Sequence, residues 1–179
     1  MLIELAVGDA YGAGFEYAPL ELIRKHNTAT HYLQHPRHRG TKPGMYTDDT
    51  QMSLAIAELL VEGARWNPHN IASRFVQVFH RDPREGYANN FYHFLLGTTT
   101  GEEFLANIRP DSDKSGAAMR AGPLGVLGTT GTVLDYARTQ AAVTHNTPDG
   151  INAAGAAALM THYLLYDLGS RARLGEFLE

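Results

Sequence analysis

The 179-residue sequence contains no cysteine, which excludes a disulfide framework, cysteine-ligated zinc and thiol catalysis together. It has no apolar run approaching the roughly 20 residues that cross a bilayer. Alternating β-branched segments bounded by turns are nearly absent, so the expected fold class is all-α. Excess positive charge is lacking too: 15 Lys and Arg against 19 Asp and Glu give a formal net charge of −4, whereas a nucleic-acid surface needs a basic patch or stripe. The densest basic stretch, His35-Pro36-Arg37-His38-Arg39, is short and bounded by Gly40, and reads as a solvated loop. The opening segment carries Glu4 and Asp9 and no basic n-region. It does not read as a secretory signal, and a soluble cytoplasmic protein is the expectation.

What remains is an ordinary globular composition, 44% hydrophobic and 19% charged, enough for a packed core in one domain. The clearest helical period follows Tyr46: Met52, Ala55, Ile56, Leu59 and Leu60 recur at three- and four-residue spacing and predict a helix from about Thr47 to Glu62, with Gly63 as its stop. Ile71, Phe75, Val78 and Phe79 mark a second helix ended by Asp82-Pro83. Further helices are expected over Tyr87 to Leu96, Gly101 to Asn107, Thr132 to Val143, and from Pro148 to about Leu165. Between them, Ser115 to Leu127 is rich in Gly and Ala, and Pro123 must kink or end any helix there.

Four polar clusters punctuate this pattern. In Pro43-Gly44-Met45-Tyr46-Thr47-Asp48-Asp49-Thr50-Gln51, a turn delivers a hydroxyl and two carboxylates to the first turn of a helix. They fit an N-cap with two dipole partners. They equally fit oxygen ligands for a hard cation such as magnesium, manganese or calcium. Adjacent helical residues point about 100° apart, so Asp48 and Asp49 could reach two metals, or one metal and a water, but not chelate as a pair. The second cluster runs from Gly8 to Glu16, with Gly14 a candidate helix end. No strand precedes it, so it is a poor dinucleotide-binding fingerprint. The third, Ser115-Gly116-Ala117-Ala118-Met119-Arg120 through Gly125, suits either an anion or close helix contact. The fourth, Thr144-His145-Asn146-Thr147-Pro148-Asp149, is a polar loop whose His145 fits a capping or surface role as well as a functional one.

The order and spacing of these clusters resemble the ADP-ribosylglycohydrolase family. Its GDAxGxxxE, G-x-Y-T-D-D-T, GAAMR-type and S/T-H-x-x-P motifs match Gly8 to Glu16, Gly44 to Thr50, Gly116 to Gly125, and Thr144 to Pro148, and Arg81 to Tyr87 looks like the family's middle segment. The resemblance implies a compact orthogonal multi-helix domain. It implies a binuclear site for two Mg2+ or Mn2+ ions, with Thr47, Asp48 and Asp49 as ligands and Asp48, Asp49 or Glu16 taking a proton from the attacking water. Ser115, Gly116, Ala117, Ala118, Met119 and His145 match the positions that cradle ADP-ribose. The implied activity is hydrolysis of the glycosidic bond between ADP-ribose and an acceptor, either an ADP-ribosylated protein or a nucleotide-type small molecule.

Two departures stand out. Asp113-Lys114-Ser115-Gly116 replaces the family's usual Asn-Gly pair, and nothing after Pro148 resembles the carboxy-terminal D-x-D-T motif, since Asp149 and Asp167 stand isolated. Residues 1–179 are therefore expected to be one domain, the amino-terminal part of a longer one. The alternative is an inactive ADP-ribose-binding or structural homologue.

Overall fold

The chain winds around α3 (Asp48–Val61) in a computed structural model that describes residues 1–179. This helix buries Met52, Ala55, Ile56 and Leu59, the periodic face expected of it, and also Thr50, Gln51 and Ser53. Burial on more than one side is what makes it central: α1 (Leu2–Gly12) and α4 (Pro68–Arg81) both pack on it. Gly63 ends α3 with φ +62. Its N–H donates to Leu60 O (3.2 Å) while Ala64 N–H donates to Leu59 O (3.1 Å), the paired closure that an αL residue after a helix permits.

Four of the other helices start on side-chain caps. Asn67 accepts from Asn70 N–H (2.9 Å) ahead of Pro68 in α4, and α4 turns Ile71, Phe75, Val78 and Phe79 into the core as their spacing predicts. After α5 (Asn89–Gly97), Thr100 caps α6 (Gly101–Asn107), Thr129 caps α8 (Thr130–Ala142) and Thr147 caps α9 (Pro148–Leu165). Pro123 divides the Gly- and Ala-rich stretch into the short α7 (Gly116–Met119) and a 3-10 turn over Gly122–Val126. Buried Val133, Ala137 and Ala141 of α8 share the core with Ala154 and Ala158 of α9, and small side chains there let the helix axes approach closely. The sole indole, Trp66, stacks on Tyr136 of α8 with ring centroids 4.6 Å apart.

There is no β-strand, and the one isolated bridge joins Asp111 to His145. No helix is long and apolar enough to cross a membrane. Three features depart from the sequence pattern or lie outside it. The amino-terminal helix ends at Gly12, not Gly14. The short α2 (Leu20–His26) follows Pro19 and buries no residue, so no apolar period announces it. The end of the chain, by contrast, resumes helix only as a 3-10 turn (Arg171–Arg173) and α10 (Leu174–Leu178).

Phe79 is fully buried against Tyr87 and Tyr92, so Phe79→Ala is expected to cost about 3–5 kcal/mol. Asn67→Ala removes one cap and should cost about 1 kcal/mol. Urea unfolding of both variants checks the ratio, and equal losses would contradict a core organised on α4.

Candidate active site

The first turn of α3 is held from outside its own sequence. Asp9, near the end of α1, accepts Thr47 N–H (2.8 Å) and Thr50 N–H (3.1 Å) on Oδ2, together with the Thr50 hydroxyl (2.6 Å), while Oδ1 accepts the Thr47 hydroxyl (2.6 Å). Thr47 occupies the N-cap position with extended backbone, but its side chain caps nothing. That corrects the simple capping role expected of it. An ionised carboxylate is a stronger acceptor for free helix N–H groups than a hydroxyl is, so Asp9 takes the cap and Thr47 becomes one of its donors.

Asp48 and Asp49 are thereby spared for other work. With Asp9, Glu16 and Thr47 they line a cavity of about 1220 Å³. Neither forms an ion pair. Burial, then the charges of Asp49, Glu16 and Asp9, push the Asp48 carboxyl up to about 8. Burial, Asp9 and Glu16 push Asp49 up to about 6. Gly86 backs this group with φ +118, and a Cβ there would run into Asp48 Oδ1 and come within 2.9 Å of Thr47 Cβ. The segment bearing Gly86 is pinned to α3 by Gln51, which donates to Val78 O (3.1 Å) and Asp82 O (2.5 Å) and accepts the Tyr87 hydroxyl (2.7 Å).

Glu16 is held by a residue the sequence did not single out. His35 is 2% exposed, not part of a solvated loop as its basic neighbours suggest. Its Nδ1 accepts both Arg37 N–H (3.0 Å) and His38 N–H (2.9 Å), which leaves Nε2 to carry the proton it donates to Glu16 Oε2 (3.0 Å). Only the tight turn after Pro36 aims two amides at one ring nitrogen, and no periodicity announces such a turn.

The lining continues through Phe91 and Phe94 of α5, most of the segment from Asn107 to Gly116, Met119, Arg120 and His145. Ser115, Gly116, Met119 and His145 thus meet Thr47, Asp48, Asp49 and Glu16 around one space. Ala117 and Ala118 are not among its lining residues: Ala117 is fully buried in the core, and its carbonyl accepts Gln140 Nε2–H (2.9 Å). Arg109, Lys114 and Arg120 also line the cavity and bring positive charge to it, with Asp111 among them. Arg120 is 1% exposed, packs 4.4 Å over the Phe75 ring and has no carboxylate partner. Burial pulls its guanidinium down to about 9, so it stays charged at neutral pH. His145, 7% exposed, is no surface residue. Burial and the Arg120 charge push its imidazole down to about 4.

The acidic pole suits a divalent cation by the chemistry of its donors. Mg2+ and Mn2+ prefer hard oxygens, and two desolvated, unpaired carboxylates gain from a cation what they lack from protein. The Thr47 hydroxyl gives its proton to Asp9, so its lone pairs are free for a metal. No three carboxylate or imidazole groups converge into a ready cage, and Asp149 and Asp167 lie outside the cavity lining. Such cations take about six ligands, so further oxygens must come from substrate, water or other protein.

Asp9→Ala strands two amides and two hydroxyls, and its thermal midpoint should fall by the equivalent of several unmet hydrogen bonds, about 1–3 kcal/mol apiece for those that stay buried. Gly86→Ala should lower stability as well, through the strained φ and the collision with Asp48. Calorimetric scans check both, and a neutral Asp9→Ala would remove the capping role. The His145 ring gives a pH test. Below the ordinary histidine value of 6.5 the unfolded chain takes up a proton, which the folded ring refuses until about 4. Stability therefore declines as pH drops through that window, by about 1–2 kcal/mol between pH 7 and 5. His145→Gln should show a decline shallower by that amount in urea titrations at the two pH values.

Comparison with known proteins identifies the family. The family model for ADP-ribosylglycohydrolase matches residues 1–179. The ADP-ribosyl-[dinitrogen reductase] glycohydrolase of Rhodospirillum rubrum is 31% identical across 94% of this chain and 58% of its own length. ADP-ribosylhydrolase ARH3 of Xenopus tropicalis is 30% identical across 67% of this chain and 37% of its own. An uncharacterised protein of Archaeoglobus fulgidus is 28% identical over 99% and 58%. The chain thus spans about half the length of the curated relatives it matches. With a full-length family match and with the motifs of α1, α3, α7 and the His145 loop gathered around one cavity, the chain belongs to the ADP-ribosylglycohydrolase family.

Proposed function

We propose that this chain forms the amino-terminal part of a metal-dependent hydrolase that cleaves the bond joining ADP-ribose to its acceptor. The observation that carries the proposal is the polarity of the cavity. Asp48 and Asp49, which form no ion pair, and Glu16 share its lining with Arg109, Lys114 and Arg120. ADP-ribose has matching groups: a diphosphate for the basic residues, and a ribose whose vicinal hydroxyls suit cations held at the acidic ones. Phe91 and Phe94 offer ring surface for a base. A volume above the 300–1,000 Å³ usual for small-molecule sites accommodates a dinucleotide-sized ligand.

In this reading Thr47, Asp48 and Asp49 would hold the metal ions, which when bound supply Lewis acidity and orientation at the anomeric carbon. The protein's own part is to place and to transfer protons. Asp9 fixes the α3 entrance, Gly86 leaves room for Asp48, and His35 aims Glu16 into the cavity. A carboxylate of Asp48, Asp49 or Glu16 accepts the proton of the attacking water as the water oxygen bonds to the anomeric carbon, and the acceptor leaves with the electron pair of the broken bond and takes up that proton. The relatives' names support the reaction class. An acceptor on protein agrees with the dinitrogen-reductase name and with the ADP-ribosylarginine hydrolase of Serratia proteamaculans, which is 23% identical over 92% of this chain.

Titration calorimetry with Mn2+, Mg2+ and ADP-ribose tests the binding claims, and release of ADP-ribose from an ADP-ribosylated arginine or serine peptide tests the chemistry. Metal affinity should fall more than about tenfold in Asp48→Asn with Asp49→Asn, because even groups that only orient ligands are worth that much. ADP-ribose binding that is unaffected by metal, or metal heats that survive the double substitution, would remove the metal from the proposal. Failure to bind ADP-ribose at all would remove the substrate.

A further inference from the structure

Arg120 is the largest fully buried side chain, and the chemistry proposed above gives it no task beyond its charge. Every acceptor it uses is neutral. Its Nε–H donates to Gln140 Oε1 (2.6 Å), and its Nη2 donates to Gln140 O (3.1 Å) and to the Thr144 hydroxyl (2.7 Å). Gln140 cannot rotate its amide to suit a different arrangement, because its Nε2 is engaged with Ala117 O. A guanidinium has only donors to offer, so at Thr144 the hydroxyl oxygen must accept.

The hydroxyl proton then has one place to go. Thr144 Oγ1 lies 2.7 Å from His145 Nδ1 and has no other acceptor. If Nδ1 carried a proton, two donors would face one oxygen and the hydroxyl proton of a residue 4% exposed would be stranded. Nδ1 is therefore the acceptor, and the ring's proton sits on Nε2. A doubly protonated ring is disfavoured by burial and by the Arg120 charge. Nε2 has no protein partner, yet no buried side-chain nitrogen or oxygen lacks one, so this atom opens onto the cavity that His145 lines. Gly116 keeps that edge clear: a Cβ there would stand 2.9 Å from Cε1 and 3.1 Å from Nε2.

We infer that Arg120 is a positioning residue which, through the Thr144 hydroxyl, locks His145 as the Nε2–H tautomer, so that the imidazole serves the cavity as a hydrogen-bond donor. The group it meets is an oxygen acceptor without a proton to give, such as a phosphate or ring oxygen. Naming ADP-ribose as the bearer of that oxygen rests on the proposed function, whereas the tautomer does not.

Long-range 1H–15N correlation spectra of the ring nitrogens at pH 7.5 read the tautomer directly, with His145→Gln identifying the signal among the nine histidines. A protonated Nε2 and an unprotonated Nδ1 are expected. Thr144→Val keeps the shape and removes the hydroxyl. It should give a mixed tautomer signal and weaken ADP-ribose by about five- to tenfold, the loss of one buried hydrogen bond, and Thr144→Ser should restore both. Arg120→Met frees the hydroxyl to turn and should also mix the tautomers; if it does not fold, Thr144→Val carries the test. A protonated Nδ1 in the unaltered chain, or an unchanged spectrum in Thr144→Val, overturns the inference. Absence of ADP-ribose binding beside an Nε2–H spectrum overturns only the substrate.

Discussion

The site depends on one carboxylate capping a helix to which it does not belong. Asp9 satisfies two amides and two hydroxyls at the entrance of α3, and in doing so joins α1 to the central helix. Had Thr47 or the acids beside it closed that end, as local rules favour, their oxygens would be committed to backbone. Because the cap comes from α1, the carboxylates of Asp48 and Asp49 are left to the cavity. The acidic character of the cavity is a consequence of how α1 docks.

Around this entrance, neutral groups do most of the holding. Gln51 ties the Gly86 segment to α3, Gln140 fixes Arg120, and His35 is fixed by two backbone amides before it reaches Glu16. A buried amide with both ends engaged has one orientation, so it transmits geometry without adding charge. The result is one cavity lined by acids and bases together, among which Asp48, Asp49 and Arg120 form no ion pair. Burying ionisable groups without partners is costly to the fold, and their convergence on one cavity is the mark of a surface shaped for a ligand.

Much of the scaffold is legible in sequence because it obeys short-range rules. The periods of α3 and α4, the Pro68 and Pro148 starts, the Gly63 stop and the break at Pro123 all come from spacing and backbone chemistry. The motif residues Thr47, Asp48, Asp49, Glu16, Ser115, Gly116, Met119 and His145 were legible too, through their order along the chain, and they line one cavity. What escaped depends on contacts distant in sequence. Asp9 as a cap lies 38 residues from Thr47, His35 lies 19 from Glu16, and Gly86 matters only because Asp48 is behind it. Ala117 illustrates the converse: it sits inside a motif, yet packing claims its side chain.

The lone indole has a consequence of another kind. Trp66 stacks on Tyr136 and donates to the Tyr136 carbonyl (3.2 Å), away from the residues that line the cavity. Emission from this chain therefore has a single tryptophan source, placed where the loop after α3 meets α8. It reports whether those two pieces of scaffold remain joined, and a nucleotide arriving in the cavity leaves it without a direct contact to sense.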